Sequence, residues 1–355
     1  MASKILFVTR RRESYWGDQS GMPKALSSGL TNSVRFVVQM LNRFGIEAVS
    51  EEAVDNNCLD RLITAHRPTH VILEAFWCVP EKLDVLRGLH PRVRWIVRNH
   101  SEMAFLANEG IALEWTLGYL QRGVEVMSNS PRARSALKAL AVSHGLPETL
   151  LTYGPNVYPE CAVEAVQPHR ARSANAVNIA CFGAVRPLKN HLQQALAAIS
   201  FGDAIGKKVR FHINASRVEG KGDPVLKNLR AMFAGSLHEL VEVPWLDHAD
   251  FLLLLDRIDI SMQVSFTETF NIVTADAVAR SVPVVVNDVP WVGGYAQANP
   301  TSLDNIIERL IEIWAESDWQ ANVRLHRQRS DLITYTQSAN FAWLSRFQAR
   351  YCLAA

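Results

Sequence analysis

Short, continuous apolar runs alternate with amphipathic segments along most of the chain. In the first half the runs fall at 5–9, 46–49, 71–73, 95–97, 124–127 and 150–153. They are rich in Val, Ile and Leu and do not alternate with polar residues, which suits strands buried on both faces. Between the first two, Val34, Val38 and Leu41 recur at helical spacing, with Thr31 or Asn32 as N-cap and Gly45 as stop. Helices are also predicted over 58–65 and 132–140, and a long polar loop over 10–29. Strand–helix alternation of this kind predicts a parallel sheet covered by helices.

The pattern fails over 157–176, which has two prolines and no periodicity and reads as a linker. It then restarts. Strands are predicted over 177–182, 209–213, 241–243, 258–262 and 284–286, and helices over 187–199, 223–233, 249–255, 271–280 and 303–314. A last helix follows Asn340, with Phe341, Trp343 and Phe347 as its contacts. The expected architecture is α/β: two Rossmann-like, doubly wound domains facing across a cleft, with ligands at the carboxyl ends of the strands. The boundaries are 1–160, a linker at 161–176, 177–336, and a terminal helix at 337–355 packing back toward the first domain.

Composition narrows the class. The chain has 355 residues, 48% of them hydrophobic, enough for two cores. Its 37 basic and 35 acidic residues leave a formal charge of +2, which argues against a protein built mainly to hold a polyanion. The five cysteines form no Cys-x-x-Cys pair, so neither a zinc site nor a disulfide scaffold is indicated. The opening MASKILFVTRRR has too short an apolar run for a secretory leader, and positive charge follows that run rather than precedes it. No run approaches the length of a membrane span. A cytoplasmic location is expected.

Two stretches carry chemistry. In 265–286, SFTETFNIVTADAVARSVPVVV, a polar loop with Glu268 leads into a small-residue helix containing Asp276. Pro283 stops that helix before a buried strand. An acid inside such a helix needs a partner or a ligand. In 178–190, NIACFGAVRPLKN, Arg186 and Lys189 lie between a strand end marked by Gly183 and a helix start. Helix dipole, backbone N–H groups and two cations there suit a diphosphate; two solvated charges flanking a helix are the alternative. His100 follows the fourth strand and points to the predicted cleft, or is a structural histidine hydrogen-bonded in a loop. Gly29 would let the first loop approach phosphates closely, or simply enter a helix.

These stretches, in this order, resemble glycosyltransferase family 4, the large retaining class of GT-B glycosyltransferases. The 178–190 stretch resembles that family's strand, glycine, arginine and Lys-Asn or Lys-Gly segment. The 241–265 stretch resembles its strand–helix–strand run ending in serine. The 265–286 stretch resembles its E-x(7)-E motif followed by a small residue and Pro-Val-Val. The first glycine-bearing loop and helix at 28–49 and the crossover at 151–157 extend the resemblance over most of the chain. It implies that Arg186 and Lys189 hold the leaving diphosphate, and that Asp276 holds the ribose. It places Glu268 on the donor sugar, with the backbone N–H groups of Phe270 and Asn271 nearby. It also implies that His100 contacts the sugar or relays a proton. The departures are Asp276 for glutamate, Asn271 and Ser281 for glycines, and a short 292–303 segment without the usual acid after its paired glycines.

The implied activity is a retaining, metal-independent transfer from a nucleotide-sugar to an acceptor hydroxyl of a glycan, lipid or small molecule. No cofactor is expected, and no Asp-x-Asp metal motif occurs. Basic residues among aromatics in the first half are Arg10, Arg11 and Arg12 with Tyr15 and Trp16; Arg92, Arg94, Trp95 and Arg98; and Arg132, Arg134 and Lys138. They leave open a nucleic-acid acceptor, as in a phage-type DNA glycosyltransferase acting on a hydroxylated base, or a peripheral membrane contact. A catalytically silent scaffold with this fold is the other alternative.

Overall fold

The computed structural model describes residues 3–11, 28–159 and 175–348. The chain divides into two compact units, residues 1–158 with 336–355, and residues 159–335. Most of the expected linker, together with Arg12, Tyr15, Trp16 and Cys161, lies outside the described residues. Ala176 already begins a strand. No helix among the described residues is long and apolar enough to cross a membrane.

The first unit holds a six-stranded parallel sheet: β1 (Lys4–Arg10), β2 (Glu47–Ala53), β3 (His70–Glu74), β4 (Arg94–Asn99), β5 (Glu125–Ser128) and β6 (Leu151–Tyr153), in the order β2-β1-β3-β4-β5-β6. Its helices are α1 (Gly29–Arg43), α2 (Cys58–His66), α3 (Pro80–Leu89), α4 (Met103–Leu106), α5 (Ala112–Gln121) and α6 (Pro131–Ser143). The central strands are buried on both faces, as their unbroken apolar runs require. Helix α1 is capped by Ser28, which accepts from the Thr31 backbone N–H, so the expected cap at Thr31 or Asn32 moves upstream. Its buried face is Val34, Val37 and Leu41, with Val38 only half-buried.

The second unit holds a five-stranded parallel sheet: β7 (Ala176–Val185), β8 (Lys208–Val218), β9 (Glu239–Glu242), β10 (Ile260–Gln263) and β11 (Val284–Val286), in the order β11-β10-β7-β8-β9. Helices α7 (His191–Ile205), α8 (Asp223–Phe233), α9 (His248–Leu255), α10 (Ile272–Ala279) and α11 (Leu303–Ala315) flank it. A core of Ile179, Phe201, Phe211, Leu229, Met262 and Leu310 fills the space beneath. Each such side chain contributes about 1.5–3 kcal/mol on burial.

The last helix differs from expectation. It is a single helix, α12 (Asp318–Gln348), and starts well before Asn340. Its residues from Thr336 onward belong to the first unit. There Trp343 stacks on Phe347 at 6.1 Å and donates its Nε1–H to the Pro155 carbonyl at 2.7 Å. Phe341, expected as a contact, is 73% exposed, while Trp343 and Phe347 are buried. Gly154 makes room for this seam: a Cβ there would lie 2.0 Å from the Met127 sulfur and 3.2 Å from the Trp343 ring.

Candidate active site

In the second unit, β7 and β10 are adjacent, but the chain leaves them toward opposite edges of the sheet. A gap above such neighbours is the usual ligand crevice of a doubly wound sheet. Gly183, Lys189, Glu268 and Asn271, among the predicted donor residues, are linked by contacts there. Gly183 lies near the end of β7 with φ +111°, a conformation closed to most side chains, and its N–H donates to the Asn214 side chain at 2.9 Å. The Lys189 Cε lies 3.6 Å from where a Cβ on Gly183 would be.

Lys189 ends a single turn, Pro187–Lys189, ahead of α7. The turn is fastened from several sides. Asn190, in the left-handed region at φ 56°, donates to the Val264 carbonyl at 3.1 Å and the Pro300 carbonyl at 2.9 Å. Gln194 donates to the Lys189 carbonyl at 2.7 Å and accepts from the Val264 N–H at 2.9 Å. The Lys189 ammonium is thereby held against the Glu268 carboxylate at 2.6 Å and the Gln263 Oε1 at 3.2 Å. Asn271 donates to the same Gln263 oxygen at 3.0 Å, and Gln263 donates to the Phe182 carbonyl at 2.9 Å. Lys189 and Asn271 therefore meet at Gln263, the last residue of β10, and Lys189 carries Glu268 with it. Sequence reasoning missed Gln263, because a single glutamine ending an apolar run carries no motif.

Asn271 is also the cap of α10. Its backbone is left-handed at φ 56°, and its Oδ1 accepts from the Thr274 N–H at 3.0 Å. The Phe270 ring is in the core, stacked on Tyr335 at 5.3 Å, and its carbonyl accepts from the Trp291 indole at 2.8 Å. Asp276, buried inside α10, is paired: His248 Nε2 lies 2.8 Å from its Oδ1. His248 is the first residue of α9, one position before the predicted helix start. Arg186 lies 3.8 Å from Glu219, which Arg217 approaches at 2.7 Å.

His100 and Gly29 belong to the first unit. Gly29 is the first residue of α1 rather than part of a loop, and its carbonyl accepts from the Ser33 hydroxyl at 2.8 Å. His100 Nε2 pairs with Glu74, the last residue of β3, and Glu74 in turn lies 3.4 Å from Arg98. Arg98, expected on a basic surface, is wholly buried, and Trp95 is buried too. Arg132 pairs with Glu102, Lys138 with Glu148, and Arg134 donates to the Leu151 carbonyl.

Two buried histidines give the second unit a pH dependence. Burial, reinforced by Lys189, pushes the His191 ring down to about 3, and burial with Arg210 pushes His212 down to about 4. Between those values and the ordinary 6.5, the unfolded chain binds protons that the folded chain refuses. Stability present above pH 6.5 is therefore lost as pH falls toward 4. At pH 5 each ring is expected to cost about 2 kcal/mol. Urea unfolding at pH 7.5 and 5 measures this, and His212→Gln should lower the difference by about half, His191 keeping the rest; an unchanged difference refutes the assignment.

No family model and no curated protein matches the chain. Solved structures do. The α,α-trehalose 6-phosphate synthase from Burkholderia multivorans superposes with a TM-score of 0.65 at 10% identity, covering 100% of this chain and 98% of that one. Anabaena HepE, solved in complex with UDP and glucose, gives 0.64 at 14% identity, with 99% of each chain covered. The E. coli trehalose-6-phosphate structure bound with UDP-2-fluoro glucose gives 0.67 at 11% identity, covering 97% and 99%. The chain has the GT-B fold.

Two positions marked in the sequence as departures from the resemblance adopt left-handed backbone. They are Asn271 and Ser281, at φ 56° and 58°. Asparagine tolerates that region and gains a cap here. Ser281 accepts from Arg329 of α12. After Gly293 and Gly294, an acid from α12 fastens the segment: Asp331 accepts from the Gly293 N–H at 3.1 Å and from the Tyr295 hydroxyl at 2.8 Å.

Proposed function

We propose that this chain is a retaining, metal-independent glycosyltransferase of the family 4 kind, moving a sugar from a nucleotide-sugar donor to an acceptor hydroxyl. The observation that carries the reading is the meeting of Lys189 and Asn271 on Gln263, with Glu268 held by the same ammonium, at the switch point of the second sheet, beside the α7 N-terminus. That terminus, Lys189 and Arg186 supply positive charge for a diphosphate leaving group, and the charge developing as the anomeric bond breaks is what they stabilise. Glu268 holds the ammonium in place and accepts from sugar hydroxyls. Asp276, seated on His248, accepts from the ribose. His100 contacts a hydroxyl of the reacting sugars. The acceptor is a glycan, a lipid or a small molecule. HepE, solved with UDP and glucose, is consistent with a nucleotide-sugar donor for this fold.

A thermal-shift panel of UDP-, GDP-, ADP- and dTDP-sugars, with and without magnesium, tests the reading. One donor at a hundredfold excess over its Kd should add about 2.7 kcal/mol of stability. The shift should be the same without magnesium, and the anomeric configuration of the product should match that of the donor. No stabilisation by any nucleotide-sugar would refute the reading. Binding without hydrolysis or transfer would replace it with a silent scaffold.

A further inference from the structure

The first unit carries a buried polar chain whose proton positions follow from its two ends. Arg98 can only donate. Its Nη2 lies 2.8 Å from the Asn156 Oδ1, which fixes that atom as an acceptor. The Asn156 Nδ2 then donates to the Ser33 hydroxyl at 3.2 Å, which donates onward to the Gly29 carbonyl. The Asn129 atom facing the Asn156 Oδ1, at 3.4 Å, must be its amide nitrogen. That same nitrogen lies 3.4 Å from the His100 Nδ1, so Nδ1 is an acceptor. From the other end, Glu74 is buried between Arg98 and the His100 Nε2. An ionised carboxylate has no proton to give, so Nε2 donates.

The charge states agree with this. Burial alone would raise the Glu74 carboxyl, but Arg98 and His100 outweigh it and hold it below the usual carboxylate range. Burial and then Arg98 hold the His100 ring below its ordinary value, against the pull of Glu74, so the ring is neutral near pH 7. The backbone turns at Ala75, directly after Glu74, with φ 68°, a left-handed conformation unusual for alanine. The Ala75 N–H is pinned to the Arg98 carbonyl at 2.8 Å. Strain of this kind gathers where a side chain must be aimed.

We propose that Glu74 is a positioning residue: backed by Arg98, it fixes His100 as the Nε2–H tautomer, so that the ring offers Nδ1 as the acceptor for a ligand hydroxyl. The role of that hydroxyl rests on the glycosyltransferase reading; the tautomer does not. Asn129 holds Nδ1 only at the long limit of a hydrogen bond, and a hydroxyl is the stronger donor for it. The ligand class is an alcohol, from either the donor sugar or the acceptor, that gives its hydrogen to His100.

Two experiments on the full chain decide this. Long-range 15N–1H correlation spectra at pH 7.5, with His100 assigned by its loss in His100→Asn, should show Nε2 protonated and Nδ1 bare. In Glu74→Gln, Arg98 claims the amide oxygen and the amide nitrogen faces the ring, so the proton should move to Nδ1. If that variant does not fold, the isosteres avoid the buried pair. Asparagine places its oxygen where Nδ1 was, and glutamine reaches only the Nε2 position. His100→Asn should therefore keep at least roughly tenfold more kcat than His100→Gln at similar Tm. An Nδ1–H or doubly protonated ring in the wild-type chain, or equal kcat in the two isosteres, overturns the proposal. A wild-type chain without any transfer counts against the glycosyltransferase reading, while its ring spectrum still judges the tautomer.

Discussion

Replacing Lys189 by alanine is expected to lower turnover roughly 10²–10³-fold, the scale for removing one positioned group that stabilises charge in the transition state. Stability should fall as well. Lys189 and Glu268 are both nearly buried, with side chains 9% and 10% exposed, and their charges lie 2.6 Å apart. Removing one partner of such a pair costs about 3 kcal/mol, because the other charge stays desolvated. Loss of activity alone is therefore ambiguous. The discriminating variant is Lys189→Met with Glu268→Gln, which keeps both shapes and removes both charges. It should regain most of the stability in urea unfolding and none of the turnover. Turnover within about threefold of wild type in Lys189→Ala would remove the lysine from the chemistry.

The largest effect on stability is expected from Trp343→Ala, at about 4 kcal/mol. The indole is buried against Phe7 at 5.9 Å and Phe347 at 6.1 Å, with the Arg98 guanidinium 5.1 Å from its ring centroid. Its N–H meets the Pro155 carbonyl, which Arg98 also reaches at 2.9 Å. Truncation leaves a cavity lined by rigid elements that cannot collapse into it. Trp343→Phe keeps most of the stack and leaves the carbonyl with Arg98, so it should cost only about 1–2 kcal/mol. Urea unfolding measures both. Proteolysis of Trp343→Ala should also cut within 336–348 before the rest of the first unit. A loss below about 1 kcal/mol in Trp343→Ala would show that this seam does not hold the terminal helix.

Much of this was legible in the sequence. Residues 71–73 and 284–286 announce buried parallel strands because a strand covered on both faces has no polar side to display. Asp223, followed by a proline, begins a helix at the expected residue. Lys189 stood out as a cation between a strand end and a helix start, Glu268 as the acid of a polar loop, and Asp276 as an acid inside a small-residue helix. The partners did not stand out. Gln263 lies 74 residues from Lys189, His248 28 residues from Asp276, and Glu74 26 residues from His100. Nothing in local spacing says that a given glutamine or histidine will face a given carboxylate. Arg98 looked like part of a basic surface because it follows Arg92, Arg94 and Trp95 in sequence; only the pleat of β4 and the closeness of Glu74 and Asn156 put it inside.

The sequence alone therefore determined the alternation of strands and helices, its break near 157–176, and the residue types that can hold a diphosphate and a sugar. These follow from periodicity, capping and the cost of burying charge, all of which act over a few residues. Tertiary structure alone decided that β7 and β10 lie side by side, that Gln263 joins Lys189 to Asn271, and that Asp276 rests on His248. It also decided that Glu74 and Arg98 fix the proton on His100. Strand order and the pairing of distant polar groups depend on which surfaces the whole chain can bury at once, and no local stretch carries that information.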